Sequence, residues 1–310
     1  MDSLLQFEEQ LASPNRSVRY RAVYRVAKID NPKALQLLAG VLQNDKDREL
    51  RAIAAKLIGK HMPLMATDFL KRALIEDKHA QVRRAAAEAL GQLDEDVSVS
   101  SLTQALKDRS KLVRRAAVQS LRTLQAAESV PDLVGVLLGD SDSYVRWEAA
   151  KTLEALQEPS AIPALIEALT ADGNSYVRYA SATALGELGD EKTIDPLATA
   201  MLRDENSYVR YAAARALGYF LEDSVDPSLV RTLMLGLDDK DKEVWHVVAE
   251  NLWSSGEIVM PIVLATLQSN NRRMRKVALK AMLWLSAEHD DIELLGMIDE
   301  DINASWGWWN

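Results

Sequence analysis

The chain has 310 residues, is 48% hydrophobic and 27% charged, carries a formal net charge of −9 and contains no cysteine. That length suits two ordinary domains or one long array. The lack of Cys excludes disulfides, Cys-ligated zinc and thiol nucleophiles, and the acidic balance argues against a general nucleic-acid binder, because phosphate binding needs cationic surface.

The N-terminal run Met1-Asp2-Ser3-Leu4-Leu5 lacks a basic flank and an apolar core, so no secretory signal is expected. No apolar stretch approaches the roughly 18 residues of a spanning helix. The expected setting is the cytoplasm, with no membrane insertion and no nucleic-acid partner. An arginine then recurs every 31–32 residues, mostly behind an aliphatic residue: Arg19, Arg51, Arg83, Arg114, Arg146, Arg178 and Arg210. Val244-Trp245 and Met274-Arg275 continue the series at spacings of 35 and 30. A fixed period of this size marks a stacked repeat array.

Residues 142–190 show one unit in detail. Val145, Ala149, Leu153 and Leu156 follow a helical period behind Asp142, which is placed to cap the helix. The same position, four before the Arg, holds Asn15, Asp47, Ser110, Asn174, Asn206, Asp241 and Asn271, all good caps, while His79 is a poor one. Gly59, Gly91, Gly186 and Gly218 are expected to close this helix as C-terminal caps. A further helix begins near Ser160, with Pro163 in its first turn. Each unit is thus a hairpin of two short helices, and about nine fill the chain. The recurring Arg is expected beside the core, bonding carbonyls or Asp side chains of the adjacent unit.

The ankyrin run Thr-Pro-Leu-His and the Trp/Gly/Tyr/Pro spacing of tetratricopeptide units are both absent. The run from Asn174 to Asp190, and those at 81–91 and 207–218, resemble short HEAT repeats. Their period is below the usual ~40–47 residues and is similar to the compact subtype of phycobilisome lyases. The resemblance covers about residues 1–285 and implies an all-α, right-handed α-solenoid of about nine hairpins. Residues 286–310 form the remainder: a terminal helix and a tail with Trp306, Trp308 and Trp309, expected to fold back as a cap, the alternative being an exposed motif that docks into another protein.

In such arrays the second helices line the concave face. Tyr144, Trp147, Glu148 and Lys151 are therefore expected to point outward, with Tyr176, Tyr179, Tyr208 and Tyr211 at equivalent places and Trp245 and His246 near there in the following unit. Earlier units carry Ser17, Glu49, Gln81 and Leu112 at the first of these positions, so the fold does not require aromatics there. A row of Tyr and Trp suits a protein partner, because these side chains bury much area at low entropic cost. Residues 126–202 carry four Lys or Arg against thirteen Asp or Glu, whereas units three and four hold a basic cluster: Arg83, Arg84, Lys107, Arg109, Lys111, Arg114, Arg115 and Arg122. Of these, Arg84, Lys111 and Arg115 are candidate contacts for an anionic group. Arg272-Arg273-Met274-Arg275-Lys276 forms a second basic knot.

Catalytic chemistry is not evident. His61, His79, His246 and His289 make no metal-ligand pair, and no phosphate loop or nucleophile elbow occurs. His289-Asp290-Asp291 reads as a helix-end charge group, and Asp238, Asp239, Asp241 and Glu243 as capping residues. The expectation is a scaffold or adaptor with no cofactor and no metal, holding a protein on its aromatic face. The resemblance implies an alternative. Phycobilisome lyases attach linear tetrapyrroles to Cys residues of phycobiliproteins, and an aromatic concavity with Arg or Lys for the propionates would suit such a bilin or an antenna partner.

Overall fold

The computed structural model describes residues 2–61, 66–93, 98–223 and 226–286. Eighteen α-helices and no strand occur among them, in an all-α solenoid of nine successive hairpins. The first helices are α1 (Asp2–Ala12), α3 (Pro32–Asn44), α5 (Thr67–Glu76), α7 (Val99–Ala105), α9 (Val130–Gly139), α11 (Ile162–Ala171), α13 (Ile194–Arg203), α15 (Pro227–Gly236) and α17 (Gly256–Leu267). The second helices are α2 (Arg16–Val26), α4 (Arg48–His61), α6 (Ala80–Leu90), α8 (Lys111–Thr123), α10 (Ser143–Leu156), α12 (Ser175–Leu188), α14 (Ser207–Asp223), α16 (Lys242–Ser254) and α18 (Arg272–Ser286). The chain forms two compact units, Met1–Ala164 and Leu165–Asn310. The Trp-rich tail and His289 lie outside the described residues.

Every second helix but α2 and α18 buries a stripe at the positions one before, three after and seven after the repeating Arg, or Trp245 in α16. In the first unit these are, for example, Leu50, Ala54 and Ile58, and in the second Val209, Ala213 and Leu217, all fully buried. The three positions fall on one face of a 3.6-residue helix. In the second unit Ser181 takes an alanine's place and leaves a buried hydroxyl without a hydrogen-bond partner, and Met274 and Met282 of α18 are only half-buried.

The joints between hairpins are closed by arginine. In the first unit Arg51 donates through Nε and Nη2 to both oxygens of Asp77, at 2.7 and 3.1 Å, and through Nη1 to the Asp45 carbonyl at 2.8 Å. Arg19 meets Asp45, Arg83 meets Asp108 and Arg114 meets Asp140 in the same two-pronged way. In the second unit Arg178 meets Asp204 and Arg210 meets Asp239. Arg146 and Arg275 keep the carbonyl bond, to Asp140 and Ser269. The expected arginine ladder is present, and its partner is a loop Asp six residues before the next Arg.

That Asp also organises its own loop. Its Oδ1 accepts the amide two residues on: Asp47 onto Asp45, His79 onto Asp77, Ser110 onto Asp108, Asn174 onto Asp172. The residue so held is the cap, and Asp47, Asp142, Asn174, Asn206 and Asp241 each accept a first-turn amide. Ser110, expected to cap α8, makes no side-chain cap bond, and neither does His79. A second set of contacts crosses the same joints, with Arg16 on Asp47 and Glu49 and Lys111 on Asp142.

The glycines do a different job from the one expected. Gly59, Gly186 and Gly218 lie inside α4, α12 and α14, and Gly91 ends α6 in right-handed geometry. Each faces the next second helix at very short range. A Cβ added at Gly59 would stand 2.7 Å from the Ala89 Cβ, at Gly91 2.4 Å from the Ser120 Oγ, and at Gly186 2.6 Å from the Ala216 Cβ. Close approach of backbones, not reversal of the chain, selects glycine here. The left-handed ends fall elsewhere, at Gln125, Gln157 and Gly189.

Gly186→Ala, which would stabilise an ordinary helix interior, is expected to lower stability by about 1–3 kcal/mol through overpacking. Gly40→Ala in α3 meets open space and is expected to raise it by about 1 kcal/mol. Thermal unfolding of the two variants distinguishes close packing from plain helix propensity. Ser181→Ala removes an unpartnered buried hydroxyl and should stabilise by about 1 kcal/mol in denaturant titration.

Acid acts on the joints. Burial pushes the Asp108 carboxyl up, but bonds from Arg83 and the Ser110 amide outweigh it and hold it below the usual range. Asp77 behaves alike, with Arg51 and the His79 amide opposing its burial. A carboxyl depressed on folding contributes stability that is whole above its unfolded value, about 3.9, and is lost as pH falls through the lower folded value. Asp108→Asn should cost about 3–5 kcal/mol at neutral pH and flatten the acid limb of the stability–pH curve.

Candidate functional site

The position two before the repeating Arg is the second residue after the cap and points to solvent in every second helix. Tyr144 in the first unit is 60% exposed there, and Tyr176 and Tyr208 in the second are 67% and 73% exposed. One turn on, Trp147, Tyr179 and Tyr211 are half-buried. These are large apolar faces that the fold leaves open.

In the first unit the last hairpin carries Tyr144 and Trp147 on α10. The Lys151 ammonium sits 5.0 Å from the centre of the Trp147 ring, a cation–π contact. Glu148, expected to point outward with them, is instead buried. Its Oε1 accepts from Gln119 Nε2 at 2.6 Å and from Arg115 Nη2 at 3.1 Å, and its Oε2 faces Arg122 Nη1 at 3.5 Å. A carboxylate can leave water at that depth because two guanidiniums and an amide on α8 meet it. The cations singled out for an anionic ligand are already engaged: Arg115 with Glu148, Arg84 with Glu88 at 2.6 Å, and Lys111 with Asp142 at 2.8 Å.

In the second unit Tyr176 and Tyr179 on α12 take the same register as Tyr208 and Tyr211 on α14. Sequence reasoning missed two companions, Arg215 and Tyr219, one and two turns beyond Tyr211 on the same stripe of α14. Tyr219 donates to Glu187 Oε1 at 3.5 Å. The phenol of Tyr219, bonded to Arg215, with those of Tyr211 and Tyr179 nearby, raises the guanidinium above its ordinary pKa. The 211/215/219 spacing was the available signal.

Trp245 and His246 are placed differently from the tyrosines. Their rings lie 4.0 Å apart, and Trp284 of α18 stands 6.0 Å from Trp245 and 6.1 Å from His246. All three are half-buried, so they knit α16 to α18 rather than forming an open surface. His246 Nε2 is buried without a hydrogen-bond partner. A second aromatic patch went unread in the sequence: Tyr20 and Tyr24 of α2, with ring centres 5.0 Å apart, beside a groove of about 540 Å³ lined also by Gln10, Val18, Arg21 and Arg25. Among the described residues no group of His, Asp or Glu is disposed to hold a metal ion.

Comparison with known proteins agrees with this architecture. The family model for HEAT repeats matches residues 2–59, 40–122, 99–185 and 162–253. The bilin biosynthesis protein MpeU of Synechococcus sp. (strain WH8020) is 31% identical over 108 residues, which cover 34% of this chain. The matched stretch spans 36% of MpeU, about a third of that relative's length. Among solved structures, Kap95p in complex with RanGDP aligns at a TM-score of 0.64 with 13% identity, covering 94% of this chain and 47% of that one. YibA of E. coli aligns at 0.53 with 22% identity, covering 89% and 99%. These likenesses in structure show the fold. The chain belongs to the HEAT-repeat family, and about a third of it is similar to a bilin biosynthesis protein.

Proposed function

We propose that this HEAT-repeat chain is a non-catalytic scaffold that holds a protein partner on the second-helix face of its second unit. The observation that carries this reading is the pair of two-tyrosine steps, Tyr176 with Tyr179 and Tyr208 with Tyr211. Their outer members are more than two-thirds exposed, although the fold accepts Ser, Glu, Gln or Leu at the same place. Exposed Tyr at successive steps offers area that a partner can bury at low entropic cost. Repeat arrays commonly serve as extended binding surfaces.

A second reading is favoured by the match to a bilin biosynthesis protein: the chain assists attachment of a linear tetrapyrrole to an antenna polypeptide. The protein itself need not supply a nucleophile for that, since the acceptor's cysteine does so. Tyr faces with Arg215 nearby would suit a flat ligand bearing propionates.

Side-by-side capture from the host's lysate tests both. Wild-type protein is expected to retain one protein in stoichiometric amount, and the Tyr176→Ala/Tyr208→Ala variant to retain it at least about tenfold less well. Retention within about twofold would remove the tyrosine face from the contact. For the second reading, titration with a linear tetrapyrrole should shift its visible absorbance, and a flat titration would exclude bilin binding by this chain alone.

A further inference from the structure

Arg215 differs from three arginines on second helices of the first unit. Arg84, Arg115 and Arg122, exposed or half-exposed in the first unit, each hold a carboxylate of their own chain. Arg215 is exposed and, among the described residues, holds none; its neighbours are the phenols of Tyr219, Tyr211 and Tyr179. Tyr219 is fixed from two sides. Its hydroxyl reaches Glu187, and its ring edge lies 3.4 Å from the point where a Gly186 side chain would begin. It therefore anchors one end of the stripe, while the Tyr179 and Tyr211 hydroxyls make no hydrogen bond among the described residues.

A guanidinium offers five N–H donors in a planar fork, and a phenol offers one O–H. With one side engaged by Tyr219, the fork keeps a free edge that matches the two oxygens of a carboxylate. The adjacent hydroxyls can donate to the lone pairs that remain. Aromatic walls displace water from the pair and strengthen it. The charge of the surroundings limits the ligand to a single negative charge. Apart from the buried ladder residues Arg178 and Arg210, Arg215 is the only cation on α12 and α14. A dianion such as a phosphate would meet one cation there, whereas one carboxylate is neutralised by it.

We infer that Arg215, with the hydroxyls of Tyr179 and Tyr211, receives one Asp or Glu side chain of a protein partner, set among apolar residues that cover Tyr176 and Tyr208. This deepens the docking reading above and rests on it. Selection of a random-peptide phage library on the intact protein tests it directly, since the library itself supplies the candidate ligands. The enriched peptides should carry an Asp or Glu beside aromatic or aliphatic residues. Exchanging that acid for its amide, or Arg215→Gln in the protein, should weaken binding at least about tenfold. Arg215→Lys, which keeps the charge but not the fork, should recover only part of the loss. Equal far-UV helix signal in the variants verifies their folding. Peptides that lose binding to Tyr176→Ala/Tyr208→Ala yet bind Arg215→Gln as tightly as wild type would overturn the carboxylate receptor and leave the docking face standing. Peptides indifferent to every substitution, or an unenriched library, would overturn both.

Discussion

One guanidinium at most joints within each unit ties together parts of the chain that the apolar core would leave free to slide. The core positions of the second helices are aliphatic or small residues, mostly Val, Ala and Leu, and contacts among such residues are not directional. The arginine is directional. Its Nη1 fixes the start of its own loop, and its Nε and Nη2 grip the Asp of the next. That Asp in turn holds the cap residue of the next second helix, which sets where that helix begins and so where the next arginine projects. Register passes from hairpin to hairpin through this chain of bonds. Net stabilisation by a buried ion pair is small beside a well-packed apolar pair, but breaking one partner is costly, so the pair acts chiefly against wrong registers.

The exceptions follow the same rule. The loop position six before the repeating Arg is Asp wherever the preceding hairpin supplies an arginine. It is Ser in the two loops that lack one: Ser13, which has no hairpin before it in this chain, and Ser269, which follows the hairpin where Trp245 stands in place of Arg. Removing the cation without removing the acid would strand a buried carboxylate, and the two changes occur together. At that joint the Trp245, His246 and Trp284 rings take over, and edge-on aromatic packing replaces the charge pair.

Much of this was legible in the sequence. The period, the caps at Asn15, Asp47, Asp142, Asn174, Asn206 and Asp241, and the arginine ladder all depend on residues a few positions apart or one period apart. The errors share a cause. Gly186 looks like a helix terminator until the distance to Ala216 on the neighbouring helix is known. Glu148 looks like a surface residue until Arg115, Gln119 and Arg122 are brought over it. His246 takes the register of Trp147, Tyr179 and Tyr211, and Trp245 that of the arginines, but both meet Trp284 of the next second helix. Each depends on a side chain of an adjacent helix, and a one-dimensional pattern carries no measure of how near that helix stands.

The candidate site arises where this architecture makes no demand. The cap fixes the backbone before it and the core claims the residue after it, and the second of the two positions between them is exposed whatever its side chain. Ser17, Glu49 and Gln81 are the inexpensive solutions for such a place, and Leu112, Glu243 and Arg273 also occur. Three consecutive tyrosines there, each followed one turn later by Trp or Tyr, therefore answer to something other than folding. The same holds for Arg215, whose guanidinium contributes nothing to the ladder and finds no acid among the described residues. An array that fixes its register with buried arginines is free to vary its exposed positions, and the aromatic steps with their neighbouring guanidinium are where this chain has used that freedom.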